Sequence, residues 1–359
     1  MRLSSSRATA LTHRPQQDFP LWDKAGTRPS LDLQFADRRD LVDATTGLSL
    51  IVFTRASSGT YVGSDGLIKT AATDEARFDH DPTTGESLGL LVEESRTNLL
   101  LNSATLATQN VTVTAIAHTL SFYGTGTVTL SGAHSATLVG TGAYPSRATL
   151  TFTPTAGTLT VTVSGTVEYA NLEIGAGGLG ASFPTSYIPT TTATVTRAAD
   201  VASISGSNFS SWYRQDEGTV FVDVFNREIY SGTNSFPYVA QFDDGTNTER
   251  ISLDHSVLAG GYRTQYVVRD GDINQASITA QSGLATGAAK WSAAYGLSSF
   301  ASASNGAVAV SVGIGTRTIP TVNRLQIGIG FGTQYNGTLK RLTYWPVRLE
   351  NNVLQAITQ

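Results

Sequence analysis

The stretch Leu159-Thr160-Val161-Thr162-Val163 alternates apolar and polar side chains residue by residue. Because successive side chains of a β-strand point to opposite faces, this period of two predicts a strand with one buried face. The same alternation recurs in three neighbouring stretches, which glycine-containing turns separate: Val111–Thr114, Thr127–Leu130 and Thr149–Phe152. Short alternating strands at such intervals are typical of a β-sandwich, so we expect residues 98–200 to form one.

The C-terminal part of the chain has the same character and is expected to form a second β-sandwich over residues 201–359. The turn-forming run Asp243–Asn247 predicts a hairpin. Alternation is unclear only over residues 284–304, and a short helix is expected after Pro346. The predicted strands are Gly218–Phe225, Tyr238–Phe242, Arg250–Leu253, Tyr262–Val268, Ala307–Val312 and Leu325–Ile329.

Residues 31–97 begin with alternation at Leu31, Leu33 and Phe35 and predict a small β module. Residues 1–30 contain three prolines and no apolar helical face, so they predict an extended arm. The expected fold class is therefore all-β: two β-sandwiches of the jelly-roll or concanavalin A-like type, preceded by the small β module and the arm.

The composition excludes several classes of protein. The 359 residues carry a net charge of −4, which does not suit a nucleic-acid partner. There is no cysteine, so disulfides, thiolate metal sites and cysteine nucleophiles are absent. No apolar run is long enough to cross a membrane, so membrane insertion is not expected.

Motifs for catalysis are nearly missing from the sequence. The five histidines form no metal-binding pair, and no nucleophile elbow occurs. The run Gly175–Gly180 matches a dinucleotide fingerprint, but Pro184 and Pro189 follow it and exclude the helix that such a site needs. We therefore expect no enzymatic activity and no cofactor. A pair of carboxylates for glycoside hydrolysis stays open, because the chain has 28 acidic residues.

Two adjacent carboxylates, Asp243 and Asp244, are weak candidates for a calcium site beside a lectin-type surface. An exposed acidic hairpin is the favoured interpretation of the same residues, so no metal is expected.

Aromatic residues in loop-like surroundings are the candidate glycan-binding residues. Sugar rings stack their C–H groups on aromatic faces, while neighbouring polar groups bind the hydroxyls. The candidates are Trp212, Tyr213, Trp291 and Tyr295. The alternative is that these side chains belong to the sandwich core, and the sequence weighs the two interpretations about evenly for Trp212 and Trp291.

Several stretches resemble known phage proteins. Phe53–Ser57, Tyr61–Ile68 and Gly89–Leu100 resemble the N-terminal module of many tailed-bacteriophage structural proteins. Tyr187–Thr190 with Val195–Asp200 resembles the boundary that closes their carbohydrate-binding-like sandwich. Gly337–Pro346 resembles the last strand of concanavalin A-like (laminin G-like) domains in phage fibres and head spikes.

This resemblance implies a structural component of the virion, of the fibre, spike or surface-decoration type, that adheres to host surface polysaccharide. It carries no shared catalytic set. Two alternatives remain: a capsid decoration or cement protein without sugar binding, and a tailspike that degrades polysaccharide.

The arm of residues 1–30 is expected to anchor the chain to another virion protein of the capsid or tail. It is rich in arginine and cannot bury enough apolar surface to order itself. The expected anchoring residues are Arg7, Arg14, Phe19, Leu21 and Trp22. Resemblance to phage fibres favours a homotrimer among the oligomers, and several copies would strengthen weak glycan contacts.

Overall fold

A computed structural model describes residues 20–175, 180–227, 236–258, 261–283, 286–312, 317–331 and 333–359. These residues form an all-β fold with four short helices, which confirms the predicted fold class.

The elements fall into three consecutive groups. The first group is α1 (Pro20–Ala25), β1 (Leu31–Leu33), α2 (Phe35–Arg38), β2 (Val52–Thr54), β3 (Gly59–Val62), β4 (Ile68–Ala71), β5 (Phe78–His80) and β6 (Ser87–Val92). The second group is β7 (Arg96–Asn98), β8 (Gln109–Val113), β9 (His118–Gly124), β10 (Thr127–Gly132), β11 (Ala136–Val139), β12 (Gly142–Phe152), β13 (Gly157–Ser164), β14 (Glu168–Gly175) and β15 (Val195–Arg197). The third group is β16 (Val201–Ser205), α3 (Gly206–Ser210), β17 (Gly218–Asn226), β18 (Pro237–Asp243), β19 (Arg250–Leu258), β20 (Gly261–Asp270), β21 (Ile273–Ser282), β22 (Gly287–Gly296), β23 (Ser299–Ser304), β24 (Val310–Ser311), β25 (Arg324–Ile327), β26 (Thr333–Gln334), β27 (Gly337–Trp345) and α4 (Asn351–Ile357).

The main sandwich consists of two eight-stranded sheets. One has the order β24-β23-β22-β17-β27-β6-β5, with β1 also paired to β27. The other has the order β2-β16-β25-β18-β19-β20-β21, with β26 also paired to β18. Both sheets contribute to one hydrophobic core, which includes Val222 and Leu342 from the first sheet and Phe242 and Leu253 from the second. The sheets therefore pack face to face.

Residues 31–97 do not form a separate module, and that prediction is wrong. Strand β1 pairs with β27, β6 also pairs with β27, and β2 pairs with β16. Leu33, Phe35 and Phe53 lie in the core of the main sandwich. Strands of three to six residues cannot bury their apolar side chains alone, so they complete the sheets of the C-terminal sandwich instead.

The second sandwich is inserted into the first between β6 and β16. It combines the sheet β11-β10-β13-β8 with the sheet β12-β9-β14-β7-β15 around its own core. In β13, Leu159 and Val161 are fully buried, while Thr158 and Thr162 face solvent. The alternation in the sequence therefore indicated the two faces of this strand correctly.

The prediction of an extended arm is wrong for residues 20–25, which form helix α1. Pro20 is its first residue, and proline is tolerated there because the first turn has no partner for its missing N–H. Leu21 packs with Leu354 and Ile357 of the short C-terminal helix α4, which the sequence predicted. The indole Nε1 of Trp345 donates to Thr27 O at 3.0 Å. The two helices thus cover the outer face of the first sheet.

This cover explains why alternation was unclear over residues 284–304. Strands β22 and β23 lie inside the first sheet and are buried on both faces. Trp291 and Tyr295 face the main core, while Ala294 faces the helices. A strand without a solvent face has no need of polar positions, so the period of two disappears. No helix in the described ranges is long and apolar enough to span a membrane.

Candidate functional site

A buried ionic network lies where the chain passes between the two sandwiches. Arg55 Nη1 lies 3.0 Å from Asp200 Oδ1, and Arg77 Nη1 lies 2.8 Å from Glu93 Oε2. Arg197 Nη1 lies 3.0 Å from the same Glu93 oxygen, and Arg77 also pairs with Asp200. All five side chains are almost completely buried. The network connects the ends of β2, β6 and β15 to the starts of β5 and β16.

Glu93 stays ionised in this network because its arginine partners stabilise the negative charge. Burial acts to raise the pKa of Glu93, but Arg197 and Arg77 outweigh it and lower the pKa to about 2. The backbone N–H and the hydroxyl of Ser186 each donate to Glu93 at 2.7 Å. An ionised carboxylate with every oxygen paired is a structural element rather than an acid or base for catalysis.

The network unites the motifs that resemble phage proteins. Arg55 belongs to the Phe53–Ser57 stretch and Glu93 to the Gly89–Leu100 stretch, while Arg197 and Asp200 belong to Val195–Asp200. These motifs therefore mark the junction of the two sandwiches. Sequence reasoning missed Arg77, because no pattern around it indicates that its guanidinium is buried.

Three of the four aromatic residues predicted to bind glycan lie in the core, and the fourth, Tyr213, is partly exposed. Trp212, Trp291 and Tyr295 are 5%, 0% and 1% exposed, and Tyr213 packs against the same cluster. Trp291 Nε1 donates to Ser302 Oγ at 2.9 Å, and the hydroxyls of Tyr295 and Tyr344 are 2.7 Å apart. The expected exposed stacking surface is therefore wrong for Trp212, Trp291 and Tyr295, because their rings fill the space between the two sheets. Tyr213 is partly exposed, and its role stays a prediction.

The two candidate metal ligands have other partners. Buried Asp243 accepts from Arg324 Nε at 2.5 Å and from Gln241 Nε2 at 2.8 Å. Asp244, which is partly exposed, accepts from the N–H and the hydroxyl of Thr246 at 2.8 and 2.7 Å. The first carboxylate thus neutralises an arginine and the second stabilises the turn. Within the described ranges, no group of three potential ligands comes together.

The predicted anchoring residues divide into two groups. Arg7, Arg14 and Phe19 lie outside the described residues, as do residues 176–179 of the glycine-rich run. Leu21 and Trp22 pack on their own chain, and Trp22 Nε1 donates to Asp32 Oδ2 at 3.0 Å. The expectation that a partner protein buries Leu21 is wrong, since helix α4 already covers it. Trp22 is partly exposed, and its anchoring role stays a prediction.

A different aromatic surface lies on the inserted sandwich. We call Tyr123, Tyr144 and Tyr169 the tyrosine patch; they come from the adjacent strands β9, β12 and β14, and all three are partly exposed. Their ring centroids lie 5.0 Å apart for Tyr123 and Tyr144 and 6.3 Å apart for Tyr123 and Tyr169. The guanidinium carbon of Arg147 lies 5.7 Å from the Tyr123 ring centroid.

Arg147 is held in place beside this patch. Its Nη1 donates to Thr185 O at 2.6 Å and its Nη2 donates to Ser121 Oγ at 2.8 Å. A fixed guanidinium next to aromatic faces combines hydrogen-bond donors with an apolar stacking surface, which is the chemistry that a sugar ring requires. Sequence reasoning missed the patch because its three tyrosines are far apart in the chain and belong to no local motif.

The patch lies towards the junction of the two sandwiches. Burial, Tyr123 and the carboxylates of Asp65 and Asp81 raise the pKa of Tyr144 to about 12. Asp65 and Asp81 belong to turns of the main sandwich, so the patch lies near both units. The phenol of Tyr144 therefore keeps its proton at neutral pH.

No protein-family model and no curated protein matches the chain. Among solved structures, the CBM40 of the Ruminococcus gnavus IT-sialidase has a TM-score of 0.34 and 13% identity, and the match covers 41% of this chain and 84% of that chain. The Streptococcus pneumoniae NanB sialidase has a TM-score of 0.34 and 13% identity, covering 43% and 26%. The binding domain of botulinum neurotoxin serotype D/C has a TM-score of 0.35 and 8% identity, covering 45% and 41%. Similarity at this level assigns no ligand and no activity.

Proposed function

We propose that this chain is a non-enzymatic structural protein of a tailed-phage particle, a fibre, spike or decoration subunit that adheres to host surface glycans. The observation that carries the adhesive role is the tyrosine patch with Arg147 fixed beside it. The phage assignment rests on the sequence motifs around Arg55, Glu93 and Arg197.

The buried ionic network supports a structural role. Its three arginines and two carboxylates connect the two sandwiches through charges that are almost fully removed from water. Breaking such a pair leaves an uncompensated buried charge, which is strongly unfavourable. The two sandwiches are therefore held in one orientation, as a subunit that presents a binding surface requires.

Adhesion through the patch would be weak for a single chain, because the tyrosines are partly exposed and water competes for their hydrogen bonds. Several copies on one particle multiply the overall affinity without new contacts. A homotrimer anchored through residues 1–19 fits this role, and those residues bind another virion protein in this proposal.

A glycan array tests the adhesive role. Wild-type protein coupled in several copies to beads is expected to bind at least one bacterial surface polysaccharide, and Tyr123→Ala is expected to lose most of that binding. Phe331→Ala is the matched control, because this exposed ring lies outside the patch. Equal binding by the wild-type protein and Tyr123→Ala would contradict the role of the patch.

Two further measurements separate the alternatives. New reducing ends after incubation with capsule or lipopolysaccharide would identify a degrading tailspike and contradict the proposal. Antibody labelling of intact particles in electron micrographs is expected to locate the protein on the virion. A labelled virion without any glycan binding would instead indicate a decoration or cement protein.

A further inference from the structure

A separate cavity opens beside the hairpin of β3 and β4. Its volume is about 630 Å³, within the range of roughly 300–1,000 Å³ that is usual for small-molecule sites. None of the residues lining it belongs to the ionic network or to the tyrosine patch. The lining residues that matter below are Arg39, Tyr61, Lys69, Glu75, Phe78 and His80.

His80 presents a buried nitrogen without a partner. The residue is 5% exposed, and its Nδ1 lies 3.0 Å from Val62 O. Because a carbonyl oxygen only accepts, Nδ1 must carry the hydrogen, and Nε2 of the neutral ring is then an acceptor. Nε2 has no hydrogen-bond partner among the described residues. An unsatisfied buried acceptor is costly. Nε2 is almost inaccessible to solvent, so a ligand hydroxyl can donate to it and remove that cost only when neighbouring lining side chains move aside.

The position of this imidazole is fixed. Val62 donates its N–H to Asp79 Oδ1 at 2.6 Å and accepts from His80 Nδ1. Two consecutive side chains of β5 therefore hold both backbone groups of Val62 at the end of β3. The ring of His80 is thus held in one orientation before any ligand arrives, which lowers the entropic cost of binding.

The charges around the cavity favour an uncharged ligand. Lys69 Nζ pairs with Asp65 Oδ2 at 2.6 Å, and Glu75 accepts from the N–H of Ala72 at 2.7 Å. The guanidinium of Arg39 has no hydrogen bond or ion pair to any described residue. The lining carries two cations, Arg39 and Lys69, and two carboxylates, Asp65 and Glu75, so its formal charges cancel and favour no ion of either sign. A neutral ligand with hydroxyl groups can donate to His80 Nε2 and accept from Arg39.

The remaining lining is apolar and aromatic. Tyr61, Phe78 and Leu41 are partly exposed where they border the cavity. Such faces pack against C–H groups of a ligand, while the polar groups fix its orientation. We propose that this cavity binds one neutral saccharide unit, with a sugar hydroxyl donating to His80 Nε2, the ring packed on Tyr61 and Phe78, and Arg39 donating to a second hydroxyl.

This inference rests on the proposed glycan binding for its biological meaning, but it concerns a different site. The open tyrosine patch suits internal units of a long chain. The cavity beside β3 and β4 has the volume of a small-molecule site and suits one terminal or branching unit. The two sites can therefore fail independently in experiment.

The test is a titration of the full chain with a panel of single sugars, followed by saturation-transfer NMR. The panel contains glucose, galactose, mannose and N-acetylglucosamine as neutral members, and sialic acid and glucuronic acid as anionic members. At least one neutral sugar is expected to bind with a Kd on the order of 1 mM, and the anionic sugars are expected to bind more weakly. In ¹⁵N-histidine spectra, one imidazole with hydrogen on Nδ1 is expected to change its Nε2 shift on binding.

Three variants locate the site. Tyr61→Ala is expected to weaken binding about tenfold, equivalent to about 1.4 kcal/mol. His80→Phe is expected to abolish it by removing the acceptor. Phe331→Ala and the patch variant Tyr169→Ala are expected to leave single-sugar binding unchanged. Thermal unfolding of each variant shows whether it is folded, and Tyr61→Ala remains informative if His80→Phe does not fold.

The proposal is overturned if no neutral sugar binds at high millimolar concentration, or if an anionic sugar binds better than every neutral one. It is also overturned if Tyr61→Ala binds as well as Phe331→Ala does. Loss of binding in Tyr169→Ala with retention in Tyr61→Ala would assign the sugar to the tyrosine patch, and would leave the proposed function standing without the cavity.

Discussion

Arg55 and Asp200 are 145 residues apart in the sequence and form a fully buried ion pair, with 3.0 Å between Arg55 Nη1 and Asp200 Oδ1. The pair joins the end of β2 to the residue just before β16, and these two strands are hydrogen-bonded neighbours. The whole inserted sandwich lies between them in the chain. The pair therefore joins the two parts of the main sandwich that precede and follow the insertion in the chain.

Removing one charge from this network should lower stability strongly. For Glu93→Gln, the buried Arg77 and Arg197 lose a shared partner, and we expect a loss of about 3–5 kcal/mol in the free energy of unfolding. Urea denaturation followed by tryptophan fluorescence measures the effect. Asp216→Asn, which breaks the exposed pair with Arg214, is the control and should leave the midpoint unchanged. Equal midpoints for both variants would contradict a stabilising network.

Stability should also depend on pH through Glu93. Its pKa in the folded protein is about 2, below the ordinary value of 4.5. The unfolded state therefore binds a proton at higher pH than the folded state does. The stabilisation is complete above the ordinary value and is lost as the pH falls towards 2. Urea midpoints measured across this interval should fall less steeply for Glu93→Gln than for the wild-type protein, and identical slopes would contradict the assignment.

Trp291→Ala should behave as a core substitution. The ring is fully buried, lies 5.8 Å from the His255 ring in a stacked arrangement, and donates to Ser302 Oγ. Truncation of a buried tryptophan typically costs about 3–5 kcal/mol. A thermal melt should show a large decrease in Tm, whereas Phe331→Ala, at an exposed ring, should show little change. A stable Trp291→Ala protein with altered glycan binding would restore the original surface interpretation.

Two N-terminal truncations separate anchoring from folding. Removal of residues 1–19 leaves every contact described above in place, so we expect this truncated protein to fold. Removal of residues 1–30 also deletes Leu21 and Ala25, which cover the outer face of the first sheet, and Thr27, whose carbonyl accepts from Trp345. This second protein should have a lower Tm and greater exposure of apolar surface, measured by dye binding.

The shorter truncation is the informative one for assembly. Loss of incorporation into particles on removal of residues 1–19, with an unchanged Tm, supports the anchoring role of the arm. Normal copy number in particles would contradict it.

Local patterns predicted much of the inserted sandwich. Leu159 and Val161 turn inward and Thr162 outward, because a strand with one solvated face needs that alternation. The same rule failed at Trp291 and Tyr295, since helices α1 and α4 bury the second face of their sheet. The sequence around these two residues resembled a loop because their strands are buried on both faces, and not because the residues are exposed.

The sequence by itself determined the all-β class, the strands of the inserted sandwich and the hairpin at Asp243–Asn247, because these depend on side-chain periodicity and turn chemistry over a few residues. Only the tertiary structure decided that residues 31–97 complete the C-terminal sandwich and that Arg77 joins Glu93 and Asp200. It also decided that Tyr123, Tyr144 and Tyr169 lie side by side. Pairings of this kind join residues tens to hundreds of positions apart, and no local pattern records which distant partner satisfies a buried charge or a short strand.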